Sequence, residues 1–369
     1  MIQVFKPSLS TSDIYSVFIN LVKNNISGTS PTVQEFEEKL SKAFNRKNVT
    51  AVANGSVALD LAFQLIGLKE DDEVILPSFT IISCLSAVLR SKAKPVFCDV
   101  RLDSWNMSLE QVKQKVTKKT KAILMVHIYG LPSEAREIAN FCKSRGIILI
   151  EDAAEAHGQK ENGELCGSFG DISTLSFYAN KHITTGEGGA LLTNSDEFDK
   201  EAKQMRNLDF TTEKRFNHKN LYWNYRMSGL QAALGISQIK NLNKTIKHKQ
   251  KQGAYYHQLL EEFTNIIQLP LKSINSSKNQ YWVFGILLKE NNIRDSVIDE
   301  LRKKGIETRP FFWPLHLQDA LPKEHIPEKG SLPVSEKLGS DGLYIPIGTH
   351  IKRKDQEFIV NCLVEIISN

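Results

Sequence analysis

From about Val49 onward, short β-branched and apolar runs alternate with longer stretches whose apolar positions recur at helical period. A short continuous apolar run between turn signals reads as a buried strand, whereas a 3.6-residue period reads as an amphipathic helix. The candidate strands are residues 49–53, 74–76, 95–100, 122–127, 147–150, 172–177 and 190–193. Strands separated by helices predict a mostly parallel sheet, since parallel neighbours need a crossover connection. A long helical run over 231–260 is followed by a strand-like 281–288, a helix-like 295–304 and a closing helical 355–367. The pattern predicts an α/β protein with a large domain over residues 1–245, holding the seven candidate strands, and a smaller C-terminal α+β domain over 246–369.

Composition narrows the class. A chain of 369 residues with 41% hydrophobic and 24% charged residues can bury a substantial core. Lys plus Arg number 47 against 42 for Asp plus Glu, and the +5 balance is spread along the chain, which argues against nucleic-acid binding. The densest basic stretch, 240–251, contains Lys244, Lys247, His248 and Lys249 and reads as the solvated face of a helix joining the two domains. The five cysteines are scattered with no Cys-x-x-Cys pair, so reduced thiols in the cytoplasm are expected and no metal site is implied. Lys6 and Pro7 follow Met1 closely, with no apolar run for a signal peptide or membrane span.

Ligands in open α/β sheets sit beyond the carboxyl ends of the strands. Four such places carry chemistry. Asn54-Gly55-Ser56 follows the first strand and opens an apolar helical run, which suits a phosphate but equally a plain turn and N-cap. Asp152 ends the run Gly146-Ile-Ile-Leu-Ile-Glu-Asp, either holding a pyridine nitrogen protonated or capping the next helix. Ser176-Phe-Tyr-Ala-Asn-Lys181 delivers a lysine to a turn, where a low-polarity setting would let its amine attack an aldehyde and form an imine. The glycine-rich Thr185-Gly-Glu-Gly-Gly189 beyond it offers a backbone tight enough to wrap a ligand. Asn224-Tyr-Arg-Met227, after a polar and aromatic loop over 210–223, reads as a functional loop or as a surface loop entering a helix.

Taken in order, Asn54-Gly55-Ser56, Glu151-Asp-Ala-Ala-Glu-Ala-His-Gly158, Gly170-Asp-Ile-Ser173, Ser176 to Lys181, Thr185 to Gly189 and Asn224 to Met227 strongly resemble the DegT/DnrJ/EryC1/StrS sugar aminotransferases. The resemblance covers nearly the whole chain and implies the aspartate-aminotransferase-like fold type I with pyridoxal 5'-phosphate as cofactor. It makes Lys181 the lysine that bonds the cofactor and Asp152 the partner of its ring nitrogen. Gly55, Ser56 and Ser176 would hold the phosphate with Asn54, and Glu155 would lie near the cofactor hydroxyl. Asn224 would reach the neighbouring subunit's cofactor, which implies a homodimer with shared sites. Two positions depart from the family pattern. Ile81 stands where an aromatic residue commonly stacks on the cofactor, unless Phe79 takes that task, and Trp223 stands where a glycine is common.

Within the family, the segments 151–158, 180–189 and 308–316 are most similar to enzymes that aminate GDP-4-keto-6-deoxymannose with glutamate. That similarity makes Arg309 and His316 substrate-site candidates, against the plainer readings of an anion-pairing arginine and a surface histidine. A dTDP- or UDP-linked keto sugar is the alternative acceptor. A sugar dehydratase on the same scaffold would carry histidine in place of Lys181, and here His182 is its neighbour. A regulator that kept the fold would have no need of Lys181, Asp152 and Ser176 together.

Overall fold

The structure is a computed structural model that describes residues 1–210, 215–328 and 330–368; positions 211–214 of the loop before Asn224 lie outside the described residues. Helices α1 (Thr11–Val22) and α2 (Pro31–Phe44) precede strand β1 (Asn48–Val52). There follow α3 (Gly55–Leu65), β2 (Glu73–Pro77), α4 (Ile82–Arg90), β3 (Lys94–Cys98), α5 (Leu109–Lys115), β4 (Thr120–Val126), α6 (Ala135–Arg145) and β5 (Ile148–Asp152). The series ends with β6 (Ile172–Ser176), β7 (Gly189–Thr193) and α7 (Asp196–Arg206). All seven candidate strands are present within a few residues of their expected limits, in one sheet of order β1-β7-β6-β5-β4-β2-β3.

The sheet is parallel from β6 through β3. Strand β7 runs antiparallel to both β6 and β1. Its reversal has a simple cause: the turn between β6 and β7 contains no helix that could carry a parallel crossover. Strand order reverses between β2 and β4, so the crevice expected to bind ligand opens beside the ends of β2, β4 and β5.

Helix α8 (Gly229–Leu260) is capped by a reciprocal Ser228–Gln231 pair and runs through residue 245, the expected domain limit. Ala232, Ile236, Leu242 and Ile246 of α8 pack in a core with α2, β1 and β7. Further along, Tyr256 and Leu260 enter a separate core. That core covers a second, antiparallel sheet of order β8-β9-β11-β10, formed by β8 (Ile267–Gln268), β9 (Phe284–Leu288), β10 (Arg309–Pro310) and β11 (Gly342–Ile345). Helices α9 (Arg294–Lys303), α10 (Pro333–Asp341) and α11 (Arg353–Ser368) complete this layer. The strand expected from residue 281 begins only at Phe284, because Tyr281 has φ +50° and breaks the extended run. Among the described residues no helix is long and apolar enough to cross a membrane.

The glycine-rich segment plays a different part from the ligand wrap expected of it. A Cβ on Gly189 would fall 2.4 Å from the backbone of Asn54, and one on Gly188 would fall 2.6 Å from Met227. Gly189 therefore lets β7 press against the Asn54 turn from behind, while Gly188 makes room for Thr185 and Met227. Gly189→Ala is expected to lower stability by about 1–3 kcal/mol through overpacking, measured as a lowered denaturant midpoint, and to displace the Asn54 turn.

Candidate active site

The first turn is set by a local cap. Asn54 is extended and its side chain accepts from Val57 N at 3.0 Å, which starts α3 at Gly55. The helix start leaves backbone N–H groups without intrahelical partners, and its dipole favours an anion there. Ser56 Oγ lies 2.7 Å from Ser83 Oγ, and Ser176 faces the same turn from the end of β6. A Cβ on Gly55 would meet Ser176 Cβ at 2.8 Å, so only glycine leaves this cradle open.

Period-two alternation sends Glu151 and Asp152 to opposite faces of the sheet. Glu151, fully buried, accepts from the N–H groups of Gly167, Phe169 and Gly170, from Ser173 Oγ at 2.8 Å and from His127 Nε2 at 2.9 Å. Burial alone would raise its carboxyl, but these donors hold it below the usual range. Since His127 Nδ1 accepts from Ser133 N, its proton sits on Nε2. This clamp fixes the end of β5. On the other face Asp152 enters the cavity, with Oδ1 accepting from Ala154 N at 3.0 Å and Cys84 Sγ 3.7 Å from Oδ2. Burial raises the Asp152 carboxyl, partly offset by the Ala154 bond and the charge of Lys181.

Lys181 completes the cavity. Its turn is tied by Lys181 N donating to Tyr178 O, by Ile183 N donating to His157 Nδ1 and by Trp282 Nε1 donating to Asn180 O. Its Nζ lies 4.0 Å from the centroid of the Trp282 ring and 3.8 Å from Glu155 Oε1. Burial lowers the basicity of this amine, against the attraction of Glu155 and Asp152. Burial in turn pushes Glu155 up to about 7, although its Oε2 accepts from Tyr129 N at 2.8 Å. His182 is buried and does not line the cavity, and burial holds its imidazole well below the usual range. The histidine beside Lys181 is thus not in a position to replace it.

The cavity encloses about 550 Å³ and gathers Asn54, Gly55, Ser56, Ile81, Asp152, Glu155, Ser176 and Lys181. Ile81 faces it, whereas Phe79 is fully buried among Tyr129, Phe311 and Phe312 and does not line it. Three sequence candidates lie elsewhere. Asn224 is exposed and does not line its own chain's cavity. Arg309 is exposed and pairs with Glu307 at 3.0 Å. His316 is buried, with Nδ1 2.6 Å from Ser78 Oγ and Nε2 3.3 Å from Glu336. Sequence reading missed Trp282, Phe312 and Tyr344, which wall the cavity from the C-terminal layer. The only local signal was their aromatic character.

This set fits pyridoxal phosphate at each of its parts. The Gly55 cradle suits the phosphate, Asp152 the ring nitrogen and the desolvated Lys181 amine the aldehyde. Thr174 Oγ1 and Asn180 Oδ1 are buried in the same cavity without a partner among the described residues, as expected of groups that face a ligand. Fold and site together define a pyridoxal-phosphate-dependent aminotransferase. The chain belongs to the DegT/DnrJ/EryC1/StrS aminotransferase family, whose profile matches residues 10–364. It is 35% identical over 366 residues to a GDP-perosamine synthase of Vibrio cholerae, covering 98% of each chain. It is 33% identical to a GDP-perosamine synthase of Escherichia coli O157:H7, covering 100% of this chain and 99% of the relative. The crystal structure of the aminotransferase TlmJ from Streptoalloteichus hindustanus superposes with a TM-score of 0.93 at 25% identity, over 100% of both chains.

An ionised Glu155 stabilises the ammonium form of Lys181. Glu155→Gln is therefore expected to speed capture of pyridoxal phosphate by the cofactor-free protein above pH 7, by about two- to ten-fold. The gain should fade below pH 7, where Glu155 is already protonated; stopped-flow absorbance across pH checks this.

Proposed function

We propose that the enzyme transfers the amino group of glutamate to carbon 4 of GDP-4-keto-6-deoxymannose, giving GDP-perosamine. The observation that carries this reading is full-length likeness to GDP-perosamine synthases, at 35% and 33% identity, together with a cavity that holds the residues the chemistry needs.

When bound, pyridoxal phosphate supplies an electron-accepting ring. Asp152 would pair with the ring nitrogen, whose positive charge would offset the desolvation that otherwise raises the Asp152 carboxyl. Gly55, Ser56 and Ser176 would hold the phosphate with the start of α3, which Asn54 fixes. Ile81 would offer the ring an apolar contact, and Glu155, beside Lys181, would be the partner of the cofactor hydroxyl. Lys181 Nζ carries the proton that leaves the α-carbon of glutamate and, in the second half, delivers one to carbon 4 of the sugar. Its burial is what leaves the amine free to accept that proton. Arg309 and His316 remain our candidates for sugar-nucleotide recognition from outside the cavity lining, Arg309 as the cross-strand neighbour of the wall residue Tyr344 and His316 as a buried support of the 311–316 segment.

We further propose that the protein acts in the cytoplasm as a homodimer, in which Asn224 completes the partner's site. Helix α1 supports this by its inverted packing. Its polar residues face inward, Asp13 to Gln238 at 2.8 Å and Ser16 to Ala233 O at 2.7 Å. Ile14, Phe18 and Val22 remain 65%, 57% and 62% exposed on its outer side. An apolar stripe of this kind marks an association surface.

Two experiments test these readings. The pyridoxamine-phosphate-loaded protein, offered GDP-, UDP- and dTDP-linked 4-keto-6-deoxysugars, is expected to lose its absorbance fastest with the GDP sugar. Faster loss with a UDP or dTDP sugar would transfer the assignment to that nucleotide. Lys181→Ala and Asn224→Ala are each expected to be inactive alone, and mixing them after partial denaturation should restore activity through a hybrid with one intact site. No recovery would place Asn224 outside the partner's site.

A further inference from the structure

Lys249 departs from the solvated face that the basic stretch 240–251 suggests. Lys244 and Lys247 are exposed, but Lys249 is only 8% exposed. Its ammonium nitrogen donates to the backbone oxygen of Trp282 at 2.8 Å. Four residues on, and so on the same face of α8, Gly253 receives the ring of Tyr281 so closely that a Cβ there would fall 2.4 Å from it. These two positions of α8 thus hold two consecutive residues, and the second is the tryptophan whose ring lies on Lys181 Nζ.

Trp282 in turn binds the Lys181 turn twice, through ring contact with Nζ at 4.0 Å and through Nε1 donating to Asn180 O at 3.1 Å. A small cavity of about 40 Å³ separates the two lysines, lined by Asn180, Lys181, His182, Gln238 and Lys249 among others. It has room for water. Both ring nitrogens of His182 are buried there without a protein partner.

We propose that Lys249 is a positioning residue for Lys181: by holding the Trp282 carbonyl it seats the indole on the Lys181 amine, keeps that amine dry and sets a second positive charge behind it. The proposal rests on Lys181 being the cofactor lysine. Drying and a neighbouring cation each disfavour the ammonium form of Lys181, against the weaker attraction of the Trp282 ring face for a cation. The opposing groups around Lys181 are Glu155, Asp152 and the Cys84 thiol, while His157 and His182 are its remaining titratable neighbours. Lys249 itself is brought down to about 7 by burial first and by the charge of Lys181 second.

The test is a pH titration of the visible absorbance of the pyridoxal-phosphate-loaded protein, which reads the proton on the Lys181 nitrogen. Lys249→Met is expected to move the midpoint upward by about half a pH unit or more, and Lys249→Arg, which keeps the donor and holds a permanent charge, to leave it at or below the wild-type value. Tryptophan fluorescence should show a more polar Trp282 environment in the Met variant alone. Should Lys249→Met fail to fold, Lys249→Gln, which loses the charge but keeps an amide donor, is expected to move the midpoint in the same direction by a smaller amount. An unmoved midpoint in whichever of these folds overturns the proposal, as does an Arg variant shifted as far as the Met variant. Lys181→Ala is the control: loss of the pH-dependent band there confirms the reading beneath the proposal, and its retention sinks that reading instead.

Discussion

The site depends on keeping one amine dry beside two carboxylates. Burying a single charge in a protein interior costs several kcal/mol even after relaxation. The attraction of an opposite charge at about 4 Å is of similar size, about 4 kcal/mol at an effective dielectric constant near 20. Two terms this close in magnitude leave the protonation of Lys181 to be decided by small changes in water access. The wall that excludes water comes from Trp282, Phe312 and Tyr344, all of the C-terminal layer, whereas Lys181, Asp152 and Glu155 belong to the large sheet. Neither layer makes the site by itself.

This division explains much of the remaining architecture. Helix α8 enters the cores of both layers and fixes their relation without a loop. The Glu151 clamp holds the end of β5 from behind, so Asp152 keeps its place although its own in-chain bonds are few. Gly189 and Gly55 allow the Asn54 turn to lie between β7 and Ser176. Each of these devices lies outside the cavity or at its edge, and each removes one freedom from a group inside it.

The sequence was most legible where structure is local. Strands announce themselves by short apolar runs, and their ends place Asn54, Asp152 and Ser176 without knowledge of the fold. Lys181 was legible because a short turn follows β6 directly. Trp282 and Tyr344 were not, since they arrive from beyond a 32-residue helix and nothing local to them marks a ligand. Lys249 was misread for the same reason: its neighbours Lys244 and Lys247 do point to water, and only contact with the 281–282 segment buries it. The glycines after Lys181 were read as a wrap for a ligand, whereas Gly189 packs against the Asn54 turn, a contact that no local pattern announces. Likeness to a family supplied the cofactor, which periodicity could not.

Ile81 shows how these parts trade against one another. An aromatic residue at that position would add about 0.5–1.5 kcal/mol of stacking beyond its buried area, and Phe79 cannot supply it because it is locked in the aromatic cluster with Tyr129, Phe311 and Phe312. On the proposed reading, that deficit would have little consequence for retention while Lys181 is bonded to the cofactor. In the proposed reaction Lys181 is released between the two halves, and the cofactor is then held by Asp152, the phosphate cradle and apolar contact with Ile81. The rigid seating of Asp152 by the Glu151 clamp and of the cradle by Gly189 therefore matters most at the stage where the covalent tether is open. A chain with an aliphatic residue on the ring face depends more heavily on its two polar anchors, and here both anchors are braced from behind by buried backbone contacts.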